Sequence, residues 1–308
     1  NYESGIVDTV KAFGPYVNFF LNGKKVAEMI FGEIKKRGEA YGMVTAGEKK
    51  KMLVEFGCPN PLKAFHLGHL KNLITGESIA RILENAGHEV VRVNYQGDVG
   101  MHVAKAMWGI LRHENEVKDH VSEPLEKRLA FLGKIYAEAA TAFEEDPAVK
   151  AEIVAMNKRV YKKDPAIQEL YRLTVGWSLE YFDTIYKRLN THFDRLYMES
   201  EVFGRGEAIV REYLKSGLFK ESDGAIIYEG GKRGLHDRVF INSEGFPTYE
   251  AKDLGLHRAH FADYNPDLMI HVVGKEQTEY FKVVFKAIEE IWPEHAHKEF
   301  HLPGGFLQ

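Results

Sequence analysis

From Val54 to Asn72 the chain reads V-E-F-G-C-P-N-P-L-K-A-F-H-L-G-H-L-K-N, the order of a strand, a loop and the start of a helix. The apolar run ending at Phe56 fits a buried strand, and Pro59 and Pro61 exclude helix until the chain has passed Lys63. Beyond it Leu70, Leu73, Ile74, Ile79, Ile82, Leu83 and Ala86 recur at helical spacing. His66-Leu67-Gly68-His69 therefore falls at a helix N-terminus, where free backbone N–H groups and the positive end of the helix dipole suit a phosphate.

Working outward, Met52–Phe56 and Glu89–Tyr95 read as strands joined by that helix, the βαβ order of a parallel, doubly wound sheet. Ligands of such sheets bind at the carboxyl ends of the strands, so Glu55 to Asn60 and Asn94 to Asp98 are expected to face one crevice. Before it, residues 1–45 show a strand at Tyr16–Leu21, a turn at Asn22-Gly23 and an amphipathic helix with Val26, Met29, Ile30 and Ile34; Gly38 and the Gly42–Gly47 region punctuate the chain. After it, residues 102–218 are almost wholly helical in pattern, with stripes such as Leu125, Leu129, Leu132, Tyr136 and Leu170, Leu173, Trp177, Tyr181 that read as core. Ala225–Tyr228 and Arg238–Asn242 read as a hairpin, Thr248–His260 as a helix, Leu268–Val273 as a buried strand and Gln277–Trp292 as a helix. The expected fold is α/β, a Rossmann-type doubly wound parallel sheet split by a large, mostly helical insertion.

With 308 residues, 44% of them hydrophobic, the chain can build a substantial core in about two domains. Its net charge of −4 excludes a chain-wide basic surface, so nucleic acid would have to meet local patches such as Lys49-Lys50-Lys51 or Lys158-Arg159 with Lys162-Lys163. The single cysteine, Cys58, forms no internal disulfide, and no signal peptide or membrane-length apolar run is visible, which points to the cytoplasm and away from membranes. The chain opens at Asn1 without a methionine and closes on Pro303-Gly304-Gly305-Phe306-Leu307-Gln308, just after an expected strand, so it is read as part of something longer.

His66-x-x-His69 admits three readings. The pair donates hydrogen bonds to a nucleotide phosphate, or joins Cys58 around zinc, or satisfies backbone groups structurally. Its place between strand and helix favours the phosphate, and the lack of a second thiol or C-x-x-C disfavours zinc. Lys63 would bring an ammonium to the same crevice, or is a surface lysine. Glu55, in an apolar strand, needs a partner for a buried carboxylate. Asp253, one turn after Tyr249, is a second acid, or forms a surface pair with His257. Two carboxylates converging with a tyrosine suit a guanidinium.

V-E-F-G-C-P-N-P-L-K-A-F-H-L-G-H, V-R-V-N-Y-Q-G-D-V-G, P-T-Y-E-A-K-D-L and V-V-G-K-E-Q together resemble successive blocks of the class I arginyl-tRNA synthetases. G-P-Y-V-N-F-F-L resembles the end of that family's N-terminal tRNA-contacting domain. The resemblance implies residues 1–45 as the last part of that domain, 46–110 as the first half of the catalytic domain, 111–240 as a helical connective insertion with a hairpin, and 241–308 as an incomplete second half without the anticodon-binding domain. It implies arginine–tRNA ligase activity: ATP-dependent conversion of L-arginine to arginyl-adenylate, with Mg²⁺ held largely by pyrophosphate oxygens and no zinc, then transfer to tRNA(Arg) by a monomer. Its rivals are another adenylyl-transferring synthetase and a non-catalytic tRNA-binding or regulatory fragment. Position by position, His66, His69, Lys63 and Gly68 match the ATP and transition-state contacts, with Tyr280 next to ATP; Glu55, Tyr249 and Asp253 match the guanidinium contacts; Cys58, Asn60 and Gln277 match the rest of the amino-acid site. Gly57-Cys58 departs from a usual serine pair, Val99 from a common tryptophan and Tyr280 from a frequent histidine.

Overall fold

A computed structural model describes residues 5–43 and 47–304; the expected break at Gly42–Gly47 falls partly, and the closing Gly305–Gln308 wholly, outside them. The chain divides into two units, Asn1–Glu48 with Asn85–Gly87, and Lys49–Glu84 with His88–Gln308.

In the first unit, β1 (Val7–Phe13) and β2 (Tyr16–Leu21) form an antiparallel hairpin and α1 runs from Gly23 to Arg37. Asn22 accepts the Lys25 N–H at 2.9 Å and so caps α1, while Lys35, Lys36 and Arg37 complement the dipole at its other end. The strand at Tyr16–Leu21 and the helix stand as read from the sequence, whereas β1 was not anticipated.

The second unit begins with β3 (Lys51–Glu55), α2 (Leu67–Asn85) and β4 (Glu89–Gln96). Five helices follow: α3 (Met101–Arg112), α4 (Glu114–His120), α5 (Leu125–Glu145), α6 (Pro147–Tyr161) and α7 (Pro165–Arg188). Asp146 and Asp164, each followed by proline at the first helical position, cap α6 and α7. Val103, Met107, Ile110, Ile135, Ile153 and Trp177 share one core between these helices, so the aromatic stripe packs as expected. Then come β5 (Arg195–Met198), α8 (Glu199–Lys215), β6 (Lys220–Ser222), β7 (Ala225–Tyr228), β8 (Arg238–Ile241), α9 (Tyr249–Tyr264), β9 (Leu268–Gly274), α10 (Thr278–Ile291) and β10 (Glu299–Gly304).

The main sheet has the order β10-β9-β3-β4-β5 and every pairing in it is parallel, so the α/β doubly wound expectation holds. Leu53, Val93 and Met269 pack on one side with Tyr197, Val202 and Leu256. Val54, Ile270 and Val272 pack on the other with Leu73, Phe182 and Tyr186. Burying each such side chain contributes about 1.5–3 kcal/mol, which is why β3 is apolar from Met52 to Val54, between Lys51 and Glu55. Residues 111–240, expected as the insertion, also supply β5 to the sheet, and the expected hairpin is a three-stranded sheet, β6-β7-β8. A methyl on Gly206 would lie 1.9 Å from the Ala251 carbonyl oxygen, and one on Gly255 would lie 2.3 Å from that of Val202. These two glycines let α8 and α9 touch backbone to backbone, and α9 carries Asp253.

Candidate functional site

At the end of β3 the backbone turns sharply. Gly57, Cys58 and Leu62 all have positive φ (86°, 48° and 63°), the last two in a region that residues with a side chain rarely enter. Burial pushes the Cys58 thiol well above its ordinary range, with the Glu55 charge adding to the effect, so it sits there as an un-ionised thiol. Asn60 accepts the Gly97 N–H at 3.1 Å, and this bond ties the loop after β3 to the end of β4.

The loop delivers His66 to the start of α2, where its ring stacks on His69 at 3.8 Å between centroids. Gly68 N–H donates to His66 Nδ1 at 3.1 Å, and His66 N–H donates to His69 Nδ1 at 3.3 Å. With both Nδ1 atoms accepting, each ring carries its proton on Nε2 as an outward donor. Burial, then the nearby His66 and Lys63, lowers the His69 pKa to about 4, so it donates as a neutral imidazole. A methyl at Gly68 would meet the His66 ring at 2.9 Å, so a larger residue there would push the ring from the position in which it accepts the Gly68 N–H. A hollow of about 320 Å³ joins His66, Gly68 and His69 to Gly57, Cys58, Gly274 and Gln277. A larger one, of about 690 Å³, joins His66 and His69 to Asn60, Lys63, Tyr136 and Tyr181.

Acids converge beyond the loop. Glu55 is 4% exposed; its Oε1 accepts from His271 Nδ1 at 3.0 Å, and Oε2 is buried with no hydrogen-bond partner among the described residues. Asn94 Oδ1, Tyr95 Oη and Gln96 Oε1, all at the end of β4, share that condition. Orphaned polar atoms collected at adjoining strand ends are what a polar ligand would satisfy. Asp253 accepts the Tyr280 hydroxyl at 2.6 Å on Oδ2. Burial raises its pKa to about 8, with Glu55 and Glu199 adding to the rise against the Tyr280 hydrogen bond and His271.

The structure thus gathers Cys58, Asn60, Lys63, His66, Gly68, His69 and Gln277 around the two hollows beside the loop between β3 and α2; Glu55 ends β3 just before that loop, and Asp253 lines a separate small cavity with His271. Tyr249 stands at the start of α9, 58% exposed, with the Lys252 ammonium 4.9 Å over its ring. Two expectations change. Asp253 forms no surface pair with His257, which is buried and bonds Glu299 and His295 instead. Tyr280 serves Asp253 and does not line the hollow that holds His66 and Gly68. Sequence reasoning missed His271, Glu299 and His260, although a histidine inside I-H-V-V was a visible signal.

A family model described as tRNA synthetases class I (R), catalytic domain, matches residues 33–307. The arginine–tRNA ligase of Treponema denticola is 34% identical over 301 residues, covering 96% of this chain and 50% of its own length. That of Borreliella afzelii is 31% identical over 306 residues, covering 97% and 52%. Among solved structures, arginyl-tRNA synthetase from Plasmodium falciparum superposes with a TM-score of 0.69 at 22% identity, covering 98% of this chain and 52% of that one. The Thermus thermophilus arginyl-tRNA synthetase gives 0.69 at 20% identity, covering 97% and 54%. The chain spans about half the length of the curated relatives it matches.

Proposed function

Because the chain belongs to the class I tRNA synthetase (R) catalytic-domain family, we propose that it activates L-arginine with ATP and passes the arginyl group to the 3′ end of tRNA(Arg). One observation carries the reading: Glu55, at the end of β3 just before the loop to the stacked His66–His69 pair, keeps a buried oxygen without a hydrogen bond, and its partner His271 lines a small cavity with the second acid, Asp253 of α9. Two separated carboxylates fit the planar fork of a guanidinium, and a lysine ammonium does not span them.

The arginine carboxylate oxygen attacks the α-phosphorus of ATP, the bond to the bridging oxygen breaks, and pyrophosphate leaves. The tRNA ribose hydroxyl then attacks the activated carbonyl and releases AMP. No side chain becomes covalently bonded. His66 and His69 donate Nε2–H to the phosphoryl oxygens as charge builds there, Lys63 adds a point charge, and Gly68 gives the nucleotide close access to the backbone. ATP enters as its Mg²⁺ complex, a substrate. Cys58 and Gln277, which line one hollow, and Asn60, which lines the other, take the arginine amino and carboxylate ends, and Tyr249 joins Glu55 and Asp253 on the guanidinium. Tyr280 moves in this scheme from the nucleotide to the support of Asp253.

The proposal makes tRNA(Arg) the macromolecular partner of a monomer in the cytoplasm, and residues 1–45 its tRNA-contacting end. Among the described residues no helix is long and apolar enough to cross a membrane. Arginine-dependent exchange of pyrophosphate into ATP, with tRNA(Arg) present, tests it. Exchange with arginine alone is expected. Exchange with a different amino acid and none with arginine assigns the chain to another adenylyl-transferring synthetase, and tRNA binding without any exchange makes it a binding module.

A further inference from the structure

His271 lies on β9, between β3 and β10, and the β3–β9 register places it directly opposite Glu55. Its ring reaches both neighbouring strands: Nδ1 meets Glu55 Oε1 at 3.0 Å and Nε2 meets Glu299 Oε2 at 2.6 Å. A carboxylate only accepts, so a ring held by two of them donates from both nitrogens and is an imidazolium. We propose that His271 is a positioning residue for arginine selection, a buried cation that ties one oxygen of Glu55 and leaves the other, Oε2, as the single acceptor offered to the guanidinium.

The inference rests on the reading of Glu55 and Asp253 as the guanidinium site. Oε2 is the independent observation behind it: a buried carboxylate oxygen with no hydrogen bond, with His260 Nε2 at 3.9 Å, beyond hydrogen-bond reach. Both His260 ring nitrogens are likewise buried without a hydrogen bond, and burial lowers that ring's pKa to about 4. Tyr280 ties Asp253 by Oδ2 in the same manner. Each acid is therefore held by one oxygen, which sets two acceptors on two residues at fixed positions for two N–H groups of one planar cation.

The groups facing His271 are Glu55 on β3, Glu299 and His301 on β10, and Asp253, His257 and His260 on α9, with Phe281 and Phe285 of α10 flanking the ring at 5.1 and 5.5 Å. Burial alone lowers the His271 pKa, but Glu55 and Glu299 outweigh it and raise the pKa well above 6.5. Among the described residues no group of three or more of these side chains is arranged to hold a metal.

Calorimetric titration of the 308-residue chain with L-arginine, and separately with ATP, between pH 7 and 10 tests the proposal. His271→Phe keeps a ring between Phe281 and Phe285 and removes both hydrogen bonds; arginine binding is expected to weaken by about tenfold to a hundredfold, with ATP binding unchanged. Glu299→Gln leaves Glu55 and Asp253 in place but withdraws one of the two charges that keep His271 protonated, so the loss of arginine affinity at alkaline pH is expected to begin at a lower pH than in the parent. Parental arginine affinity in His271→Phe, or an unmoved pH profile in Glu299→Gln, overturns the proposal. Should His271→Phe fail to fold, the Glu299→Gln profile decides alone. Asp253→Ala separates the two layers: if it abolishes arginine binding while the His271 and Glu299 variants bind as the parent does, only the positioning role falls. If the parent does not bind arginine, the site reading falls and takes this inference with it.

Discussion

Asp253 links the pocket to pH. Its pKa of about 8 stands above the ordinary 3.8, so the folded chain keeps a proton that the unfolded chain releases. The stability this contributes is complete below about 3.8 and is lost as pH rises through 8. A guanidinium needs the carboxylate, so arginine affinity is expected to rise by up to about tenfold per pH unit on approach to that value, and Asp253→Asn to flatten the curve; titrations from pH 6 to 9 check this. His66→Ala is expected to slow adenylate formation about a hundredfold in single-turnover assays with arginine affinity nearly intact. Equal loss of both ligands would indicate an unfolded variant. His66, Lys63 and Glu55 could be named as candidates because a loop between strand and helix, or a charge in an apolar run, marks a residue locally, whereas Asp253 stood out only by its turn spacing from Tyr249 and by the family resemblance. His271, Glu299 and His260 were not legible, since their roles depend on which strands lie side by side, and the β10-β9-β3 order leaves no periodicity in the chain.

Elements with long periodic faces were read directly from sequence, and three strands, β1, β5 and β6, were missed. β5 has four residues, too few for an alternation to show, and exists because β4 offers it a parallel edge. β1 is held by the register of its hairpin with β2. The contact between α8 and α9 was equally hidden, because a helical glycine reads in sequence only as a weak helix former. Gly255→Ala presses a methyl against the Val202 carbonyl; it is expected to destabilise the fold by about 1–3 kcal/mol and, by displacing α9, to weaken arginine binding more than ATP binding. Asp164→Ala removes the cap of α7, far along the chain from these residues, and is expected to cost about 1 kcal/mol in thermal or urea unfolding with the two affinities unchanged.

For the whole molecule the doubly wound sheet was legible, while its assembly order follows only from the topology. β3 sits in mid-sheet, but its neighbour β9 and the next strand β10 come from the far end of the sequence. In refolding from urea, helical signal from α3 to α7 is expected to return before arginine binding, which has to await pairings of long sequence separation. Simultaneous recovery in stopped-flow experiments would contradict this order. Glu55 and His271 are 216 residues apart, so on a ribosome adding about 5–20 residues per second the acid waits roughly ten to forty seconds for its counter-charge. During that interval β3 is an open strand edge ending in an uncompensated carboxylate, which makes the nascent chain most dependent on chaperones between the emergence of β5 and that of β9.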